Sequence, residues 1–269
     1  RLALCRGENG VMPTYCRYRV KMDQGTPSFE KCDMPLFLES SVRDMRLCES
    51  EQKREKLFEA VHRSELFDGK LGMYRVNQAL DISELELGRA AAFTPGWLEN
   101  GSIWLHMEYK YLLELLRGGL YEQFSETMRQ AAIPFLDPAV YGRSTLENSS
   151  FLVSSLNPEE ALHGRGYVAR LSGSTAEFMS IWQIMMFGQK PFLRTENGVQ
   201  INLQPCIPAY LIDEGRTIQA AFLENSTVLY HFAECRDYFP GNYSIRIRSM
   251  VDVDAIRQGA ASEIVADIF

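Results

Sequence analysis

The spacing of apolar residues changes near Gly188, and this change most constrains the fold of the chain. Before Gly188 apolar residues recur every three or four positions, as in helices that bury one face. After Gly188 they form short β-like runs separated by Asn, Gly and Pro. The pattern predicts a helical domain over residues 1–190 and a small β-sandwich over residues 191–269.

Two helices joined by a two-glycine turn are expected in the first domain. One is predicted over 102–117 and the other over 121–132, with Gly118 and Gly119 between them and Pro134 ending the second. The first helix carries apolar residues on one face: Leu105, Tyr109, Leu112 and Leu116. Such αα-hairpins are the repeating unit of an (α/α)6 toroid. The predicted fold class is therefore α+β, with part of a toroid followed by the β-sandwich.

Other elements follow from local signals. A strand is expected over 14–22, and a helix near 50–66 with Ser50 as its N-cap. A further helix is predicted over 175–187, with Ser174 as its cap and a buried stripe of Phe178, Ile181, Trp182 and Met185. Four short antiparallel strands are predicted in the second domain, within residues 199–205, 217–223, 226–232 and 243–250.

Charge and apolar content exclude some partners. The net charge of -7 and the pI of about 5.3 do not favour nucleic-acid binding, so any phosphate must bind in a local pocket. No apolar run approaches the ~20 residues that span a bilayer, and the first residues do not form a signal peptide. Arg1 is interpreted as a truncation or cleavage point, and the chain as the last part of a longer polypeptide.

The cysteines and histidines predict neither a metal site nor a redox motif. None of the six cysteines forms a CxxC pair, and the four histidines lack ligand spacing. Free thiols in a reducing compartment, and hence a cytoplasmic protein, are the preferred interpretation. Four Asn-x-Ser/Thr sequons keep a secreted source as the alternative.

The segment PGWLENGSIWLH is the first candidate site. Trp97, Glu99 and Asn100 lie in a stiff loop, and His106 lies in the first turns of the following helix. An amphipathic ring such as that of Trp97 suits the face of a sugar. In the plainer interpretation, Glu99 and Asn100 cap the helix and His106 packs in the core.

The segment SGSTAEF is the second candidate site. Ser172, Gly173 and Ser174 lead directly into a helix, where free N–H groups, small hydroxyls and the positive helix end favour an anion. The alternative is that Glu177 caps these N–H groups itself.

Together these segments resemble the C-terminal half of the inverting glycoside phosphorylases related to cellobiose phosphorylase, glycoside hydrolase family ninety-four. The likeness covers about residues 90–190 and implies the toroidal fold. In that family the His of the first segment and a Thr of the second hold the attacking phosphate, which implies this role for His106 and Ser172, with Gly173 and Ser174 beside them. Leu98 stands where the disaccharide enzymes commonly have an acceptor-binding Lys, so longer or differently linked β-glucans become plausible substrates.

The resemblance also implies the reaction. It is phosphorolysis of a β-glucoside or β-glucan oligosaccharide with inversion, giving α-glucose 1-phosphate, with inorganic phosphate as co-substrate and no cofactor. The family's general acid, an Asp in a Trp-Asn-Asp type motif, is absent here and is expected on an N-terminal portion or a companion chain. Glu99, Trp97 and Asn100 are then sugar-binding residues. A toroidal glycoside hydrolase with Glu99 as base, a non-catalytic fragment and a sugar-binding subunit stay open, as does a homodimer.

Overall fold

The computed structural model describes residues 10–11, 16–81, 88–169, 172–196, 198–248, 253–260 and 262–269. The side chains of Ala169 and Ser172 lie outside this description. The chain divides into two compact units, Arg1–Phe178 and Met179–Phe269, and the division falls within a helix. Within the described ranges, no helix is both long enough and apolar enough to cross a membrane.

Helices and short strands alternate along the chain. The helices are α1 (Leu38–Leu47), α2 (Glu51–His62), α3 (Leu105–Arg117), α4 (Tyr121–Ala131), α5 (Pro138–Tyr141), α6 (Ser172–Phe187) and α7 (Val253–Arg257). The strands of the first unit are β1 (Cys16–Asp23), β2 (Thr26–Asp33), β3 (Phe67–Asp68), β4 (Met73–Tyr74), β5 (Ile103–Trp104), β6 (Ser149–Leu152) and β7 (Gly166–Ala169). Those of the second unit are β8 (Phe192–Thr195), β9 (Gly198–Ile201), β10 (Thr217–Phe222), β11 (Ser226–Phe232), β12 (Ile245–Ile247) and β13 (Ser262–Ile268).

Helix α3 is the inner helix of the first unit. Ten of its thirteen residues are buried, so it is covered on nearly all sides, and it packs against α1, α4 and β6. The turn after α3 contains Gly119, whose φ of +83° is easily adopted by glycine. The predicted αα-hairpin is thus confirmed, although α3 begins at Leu105 because the two residues before it belong to β5.

A fully buried carboxyl group lies in the first turn of α3. Glu108 is 0% exposed, and its Oε2 accepts a hydrogen bond of 2.9 Å from the N–H of Tyr74. Its Oε1 has no hydrogen-bond partner in the described part of the chain, and neither has the hydroxyl of the neighbouring buried Tyr111. Burial raises the pKa of Glu108 to about 8, against an opposing effect of the Tyr74 hydrogen bond. The carboxyl is therefore mainly protonated at neutral pH.

Small antiparallel sheets interrupt the helices of the first unit. Strand β6 pairs with both β5 and β7, and β3 pairs with β4. The side chain of Tyr141 closes the end of this three-stranded sheet: its hydroxyl donates to the carbonyl of Glu147 (2.7 Å) and accepts from the N–H of Ser149 (3.0 Å). Gly166 on β7 lies directly against the Tyr141 ring.

The predicted (α/α)6 toroid is wrong. The described residues form seven helices and five small sheets, a mixed α+β arrangement in which α3 and α4 are not followed by further hairpins of the same kind. After α5 the chain instead forms β6, which pairs with the strand that precedes α3, and β7, which pairs with β6. Both runs contain aromatic residues that favour strands, Phe151 in β6 and Tyr167 in β7. The helical periodicity of 102–132 is a local signal and does not determine what the neighbouring segments form.

The predicted β-sandwich of antiparallel strands is also wrong. The second unit contains one mixed four-stranded sheet in the order β10-β11-β13-β12, and a separate hairpin of β8 and β9. Strand β13 runs parallel to β11, with Ser226 opposite Ser262 and Phe232 opposite Ile268. Residues between these strands include β12, which pairs antiparallel with the other edge of β13, and the short helix α7.

Local predictions had mixed outcomes. Ser50 caps α2, its hydroxyl accepting from the N–H of Lys53 over 3.4 Å, as predicted. Helix α6 begins at Ser172, so Ser174 lies inside it and is not its N-cap. Trp182, placed in the buried stripe of this helix, is 42% exposed. The predicted strand over 14–22 corresponds to β1, and its first two residues lie outside the described part.

Candidate functional site

The loop that precedes α3 is held in shape by close backbone contacts. Gly96 has a φ of +79°, and a Cβ atom there would lie 2.6 Å from the backbone nitrogen of Asn157, so only glycine fits. Its N–H donates to the carbonyl oxygen of Asn100 over 2.7 Å, and its own carbonyl accepts from the N–H of Ser154. Leu98 has a φ of +47°, a conformation that a leucine adopts only when its surroundings impose it. The loop is therefore a stiff support for the side chains near its tip.

Asn100 stabilises this loop from the inside. The side chain is 0% exposed, and its Oδ1 accepts a 2.7 Å hydrogen bond from the N–H of Leu80. Its Nδ2 donates to the carbonyls of Leu80 (3.2 Å) and Phe93 (2.7 Å). These bonds use both hydrogens of the amide. Asn100 thus holds the loop in place and does not itself reach the protein surface.

Glu99 is accessible and retains bonding capacity. Its side chain is 38% exposed, and Oε1 accepts a hydrogen bond of 3.0 Å from Nη2 of Arg89. Because Arg89 is itself 79% exposed, this ion pair contributes little to stability. Oε2 is shielded from solvent and has no hydrogen-bond partner within the residues described here. Oε2 of Glu99 therefore keeps its capacity to accept a hydrogen bond.

Trp97 is half-buried and belongs to a group of aromatic rings. Its ring lies edge-on to Phe151 and Tyr167, with centroid distances of 5.2 Å and 4.6 Å. The ring of Trp104 also contacts Phe151, with a centroid distance of 5.8 Å, and its Nε1 donates to the carbonyl of Leu98 over 3.1 Å. Such contacts fix the orientation of a ring and leave its unburied part in one position. Trp104 also links the loop to α3, which it directly precedes.

His106 lies against the first turn of α6. A Cβ atom built on Gly173 would be 2.9 Å from Nδ1 of His106 and 3.0 Å from its Cγ and Cε1, so the ring packs on the glycine backbone. The structure thus brings together His106 and the SGST segment, which are 67 positions apart in sequence. Only a residue without a side chain at position 173 permits this approach.

Charged groups surround the imidazole. Oε1 of Glu177, one turn further along α6, is 3.8 Å from Nε2 of His106. Burial lowers the pKa of His106, as does the positive charge of Lys110, while Glu177 and Glu39 raise it to a smaller extent. The net direction is downward, so at neutral pH and without a ligand the imidazole is mainly neutral and offers one N–H donor.

The three residues predicted to accompany His106 differ in position. Gly173 is in contact with its ring. Ser174 is 0% exposed and lies within α6, so it faces the protein interior. The hydroxyl of Ser172 lies outside the described part of the chain. The contact between His106 and the start of α6 therefore involves the ring and the helix backbone.

Sequence reasoning gave Glu177 only a capping role and did not consider Lys110. Both could have been found by helical spacing, since Lys110 follows His106 and Glu177 follows Gly173 by four positions, one turn of a helix.

Within the described ranges, no group of three or more His, Cys, Asp or Glu side chains is arranged to hold a metal ion.

Comparison with the models of known protein families gave no match to this chain. A search of curated proteins gave no match either.

Proposed function

We propose that this chain contributes the phosphate-binding side of a cytoplasmic glycoside phosphorylase. The enzyme would cleave β-glucosides or β-glucan oligosaccharides with inversion, giving α-glucose 1-phosphate. The observation that carries the proposal is the contact between His106 and Gly173 at the first turn of α6. The cytoplasmic location is supported by the five described cysteines, which are free thiols.

The phosphate would lie where the imidazole meets the helix start. N–H groups of a helix's first turn have no partner within the helix, and the helix dipole favours an anion there. The neutral ring of His106 donates one N–H, and an arriving phosphate stabilises its protonated form, which donates two. The hydroxyl of Ser172 is assigned to the phosphate by the family resemblance. Ser174, which is buried, would support the helix start from within.

The loop before α3 would bind the sugar. Trp97 offers an amphipathic ring fixed by Phe151 and Tyr167, and Glu99 offers an oxygen that can accept a hydrogen bond from a sugar hydroxyl. Asn100 contributes indirectly, by fixing the loop.

The chemical step needs a group from outside this chain. A carboxylic acid on an N-terminal portion or a companion chain would protonate the leaving glycosidic oxygen as its bond to the anomeric carbon breaks. A phosphate oxygen forms the new bond to that carbon from the opposite face. Because phosphate is itself the nucleophile, no carboxylate base is required.

Replacing Gly173 with Ala tests the phosphate site directly. The added methyl group would meet the His106 ring at 2.9 Å and displace it from the helix start. We expect inorganic phosphate to bind at least about tenfold more weakly, since a hydrogen bond to a charged group contributes about 1.5–3 kcal/mol. Binding is measured by NMR titration of the His106 ring signals, assigned with His106→Gln. The control is Gly69→Ala, whose Cβ would have no neighbour closer than 4.0 Å.

Glu177→Gln should act in the opposite direction. Its carboxylate, 3.8 Å from Nε2 of His106, repels an anion, so removing the charge should tighten phosphate binding several-fold. Phosphate should also raise the pKa of His106 in the unaltered protein. If the ring signals do not respond to tens of millimolar phosphate, or Glu177→Gln weakens binding, the phosphate site is disproved.

A hydrolase with Glu99 as its base is the second candidate, supported by the oxygen of Glu99 that has no partner among the described residues. Activity assays of the enzyme, assembled with the portion that carries the general acid, distinguish the two candidates. A phosphorylase gives sugar phosphate only when phosphate is present, and Glu99→Gln mainly raises KM. For a hydrolase, cleavage needs no phosphate and Glu99→Gln lowers kcat by about two orders of magnitude or more. Binding of β-glucan without cleavage in either condition would indicate a sugar-binding subunit.

A further inference from the structure

The hairpin formed by β1 and β2 has two chemically different faces. Val20 lies directly opposite Phe29 in the pairing register, and Tyr18 and Met22 lie on the same face, two residues to either side of Val20. The other face carries three cations of β1: Arg17, Arg19 and Lys21. A ribbon with this alternation is typical of a sheet that buries one side.

The apolar face is not covered by any of the residues that the structure describes. Tyr18, Val20, Met22 and Phe29 are 62%, 57%, 68% and 69% exposed. A two-stranded hairpin is at most marginally stable by itself in water. A contiguous apolar patch of several hundred Å² on a protein surface usually marks an interaction site. The face is therefore expected to be buried against a partner.

Charge on this face favours a second copy of the same chain. Besides the apolar side chains, its charged members in the pairing register are Lys31 and Asp33, which form an ion pair of 3.0 Å. The face is thus neutral and carries both signs at one end. Two copies can meet without net repulsion, and each Lys31 can approach the partner's Asp33 across a two-fold axis.

We propose that two copies of this chain associate through the apolar faces of their β1–β2 hairpins. The four apolar side chains present roughly 500 Å² per copy, taking about 200 Å² for a fully exposed large side chain. Burying both faces removes about 1,000 Å² from water, near the lower limit for a specific interface. The dimer is accordingly concentration-dependent, and it is independent of the phosphate site.

Sedimentation velocity over micromolar to several hundred micromolar protein tests this inference, with a reducing agent present because Cys235 is exposed. Two variants with the same charge change are compared with the unaltered chain. Phe29→Glu puts a carboxylate in the centre of the apolar face. Ser28→Glu, on the adjacent residue, points to the other face opposite Lys21, where a carboxylate is favourable.

The unaltered chain and Ser28→Glu should dimerise alike, and Phe29→Glu should dimerise at least tenfold more weakly. Thermal unfolding of the three proteins should agree within a few degrees, because the substituted side chains are exposed. If the unaltered chain is monomeric throughout this range, the face serves another partner and the inference fails. It also fails if both variants dimerise as strongly as the unaltered chain, or if both weaken the dimer equally.

Discussion

Glu108→Gln is expected to make the first unit markedly more stable at alkaline pH and to leave it nearly unchanged at acidic pH. The substitution keeps the size of the side chain and an oxygen that can accept from the N–H of Tyr74. It removes the group that must either stay protonated or ionise in the interior. The effect is large because Glu108 is fully buried. Among the described residues, no cation donates a hydrogen bond to its carboxyl group that would stabilise the negative charge.

The direction of the pH dependence follows from the raised pKa. Below about pH 4.5 the carboxyl is protonated in both the folded and the unfolded chain, and Glu108 does not lower the free energy of unfolding. As the pH rises to about 8, the unfolded chain releases this proton while the folded chain retains it, so the free energy of unfolding falls. Above about pH 8 both states are ionised and the loss levels off. At roughly 1.4 kcal/mol per pKa unit, the total loss is on the order of 5 kcal/mol.

Urea unfolding at pH 5, 6.5 and 8.5 measures this difference. Fluorescence of Trp97 and Trp104, measured in a Trp182→Phe background because Trp182 lies in the second unit, reports on the first unit. The advantage of Glu108→Gln should grow with pH. Glu55→Gln, a change at an exposed position of α2, serves as the control for losing one negative charge. A difference between Glu108→Gln and the unaltered protein that is equal at all three pH values would show that Glu108 is not protonated by burial.

Gly166→Ala is expected to be strongly destabilising. A Cβ atom at this position would overlap the ring of Tyr141 and the hydroxyl of Ser149, both of which are fully buried. Neither can move freely, because the Tyr141 hydroxyl is bonded to Ser149 and to the carbonyl of Glu147. We expect a loss of about 3 kcal/mol or more, at the upper end for overpacked interiors.

The matched control is again Gly69→Ala, where the nearest atom to a new Cβ is 4.0 Å away and the stability should change by less than about 0.5 kcal/mol. Both variants are compared by thermal unfolding. If Gly166→Ala unfolds at the same temperature as Gly69→Ala, then β7 does not pack on Tyr141 as described.

Helices and strands were predictable where the residues of the element itself carry the pattern. The hairpin of α3 and α4 follows from helical spacing and two glycines. Strand β11 follows from a short β-like run bounded by turn residues. Strand β5 has only two residues and no period to detect. Its pairing with β6 depends on residues about 48 positions away, so the three-stranded sheet was missed and a toroid was expected instead.

The candidate site was predictable in its residues but not in its contacts. The two segments were chosen as a stiff loop and an anion-favouring helix start, and together they resemble a family. In the structure the packing of the His106 ring on Gly173 brings them together. The interior position of Asn100 could not be foreseen, because a loop asparagine can equally bond backbone or solvent. Likewise, Trp182 has the spacing of a buried stripe yet remains 42% exposed.

The parallel pairing of β11 with β13 affects how the second unit is made. Strand β13 occupies a central place between β11 and β12, although it follows both in sequence. During synthesis, β10 and β11 can pair as soon as they emerge from the ribosome, but β11 keeps one edge unpaired until residues 262–268 follow. An unpaired strand edge is open to other chains. Nascent chains halted before residue 262 should therefore require chaperone protection, and completion of the sheet should be the slow, late step in the maturation of this unit.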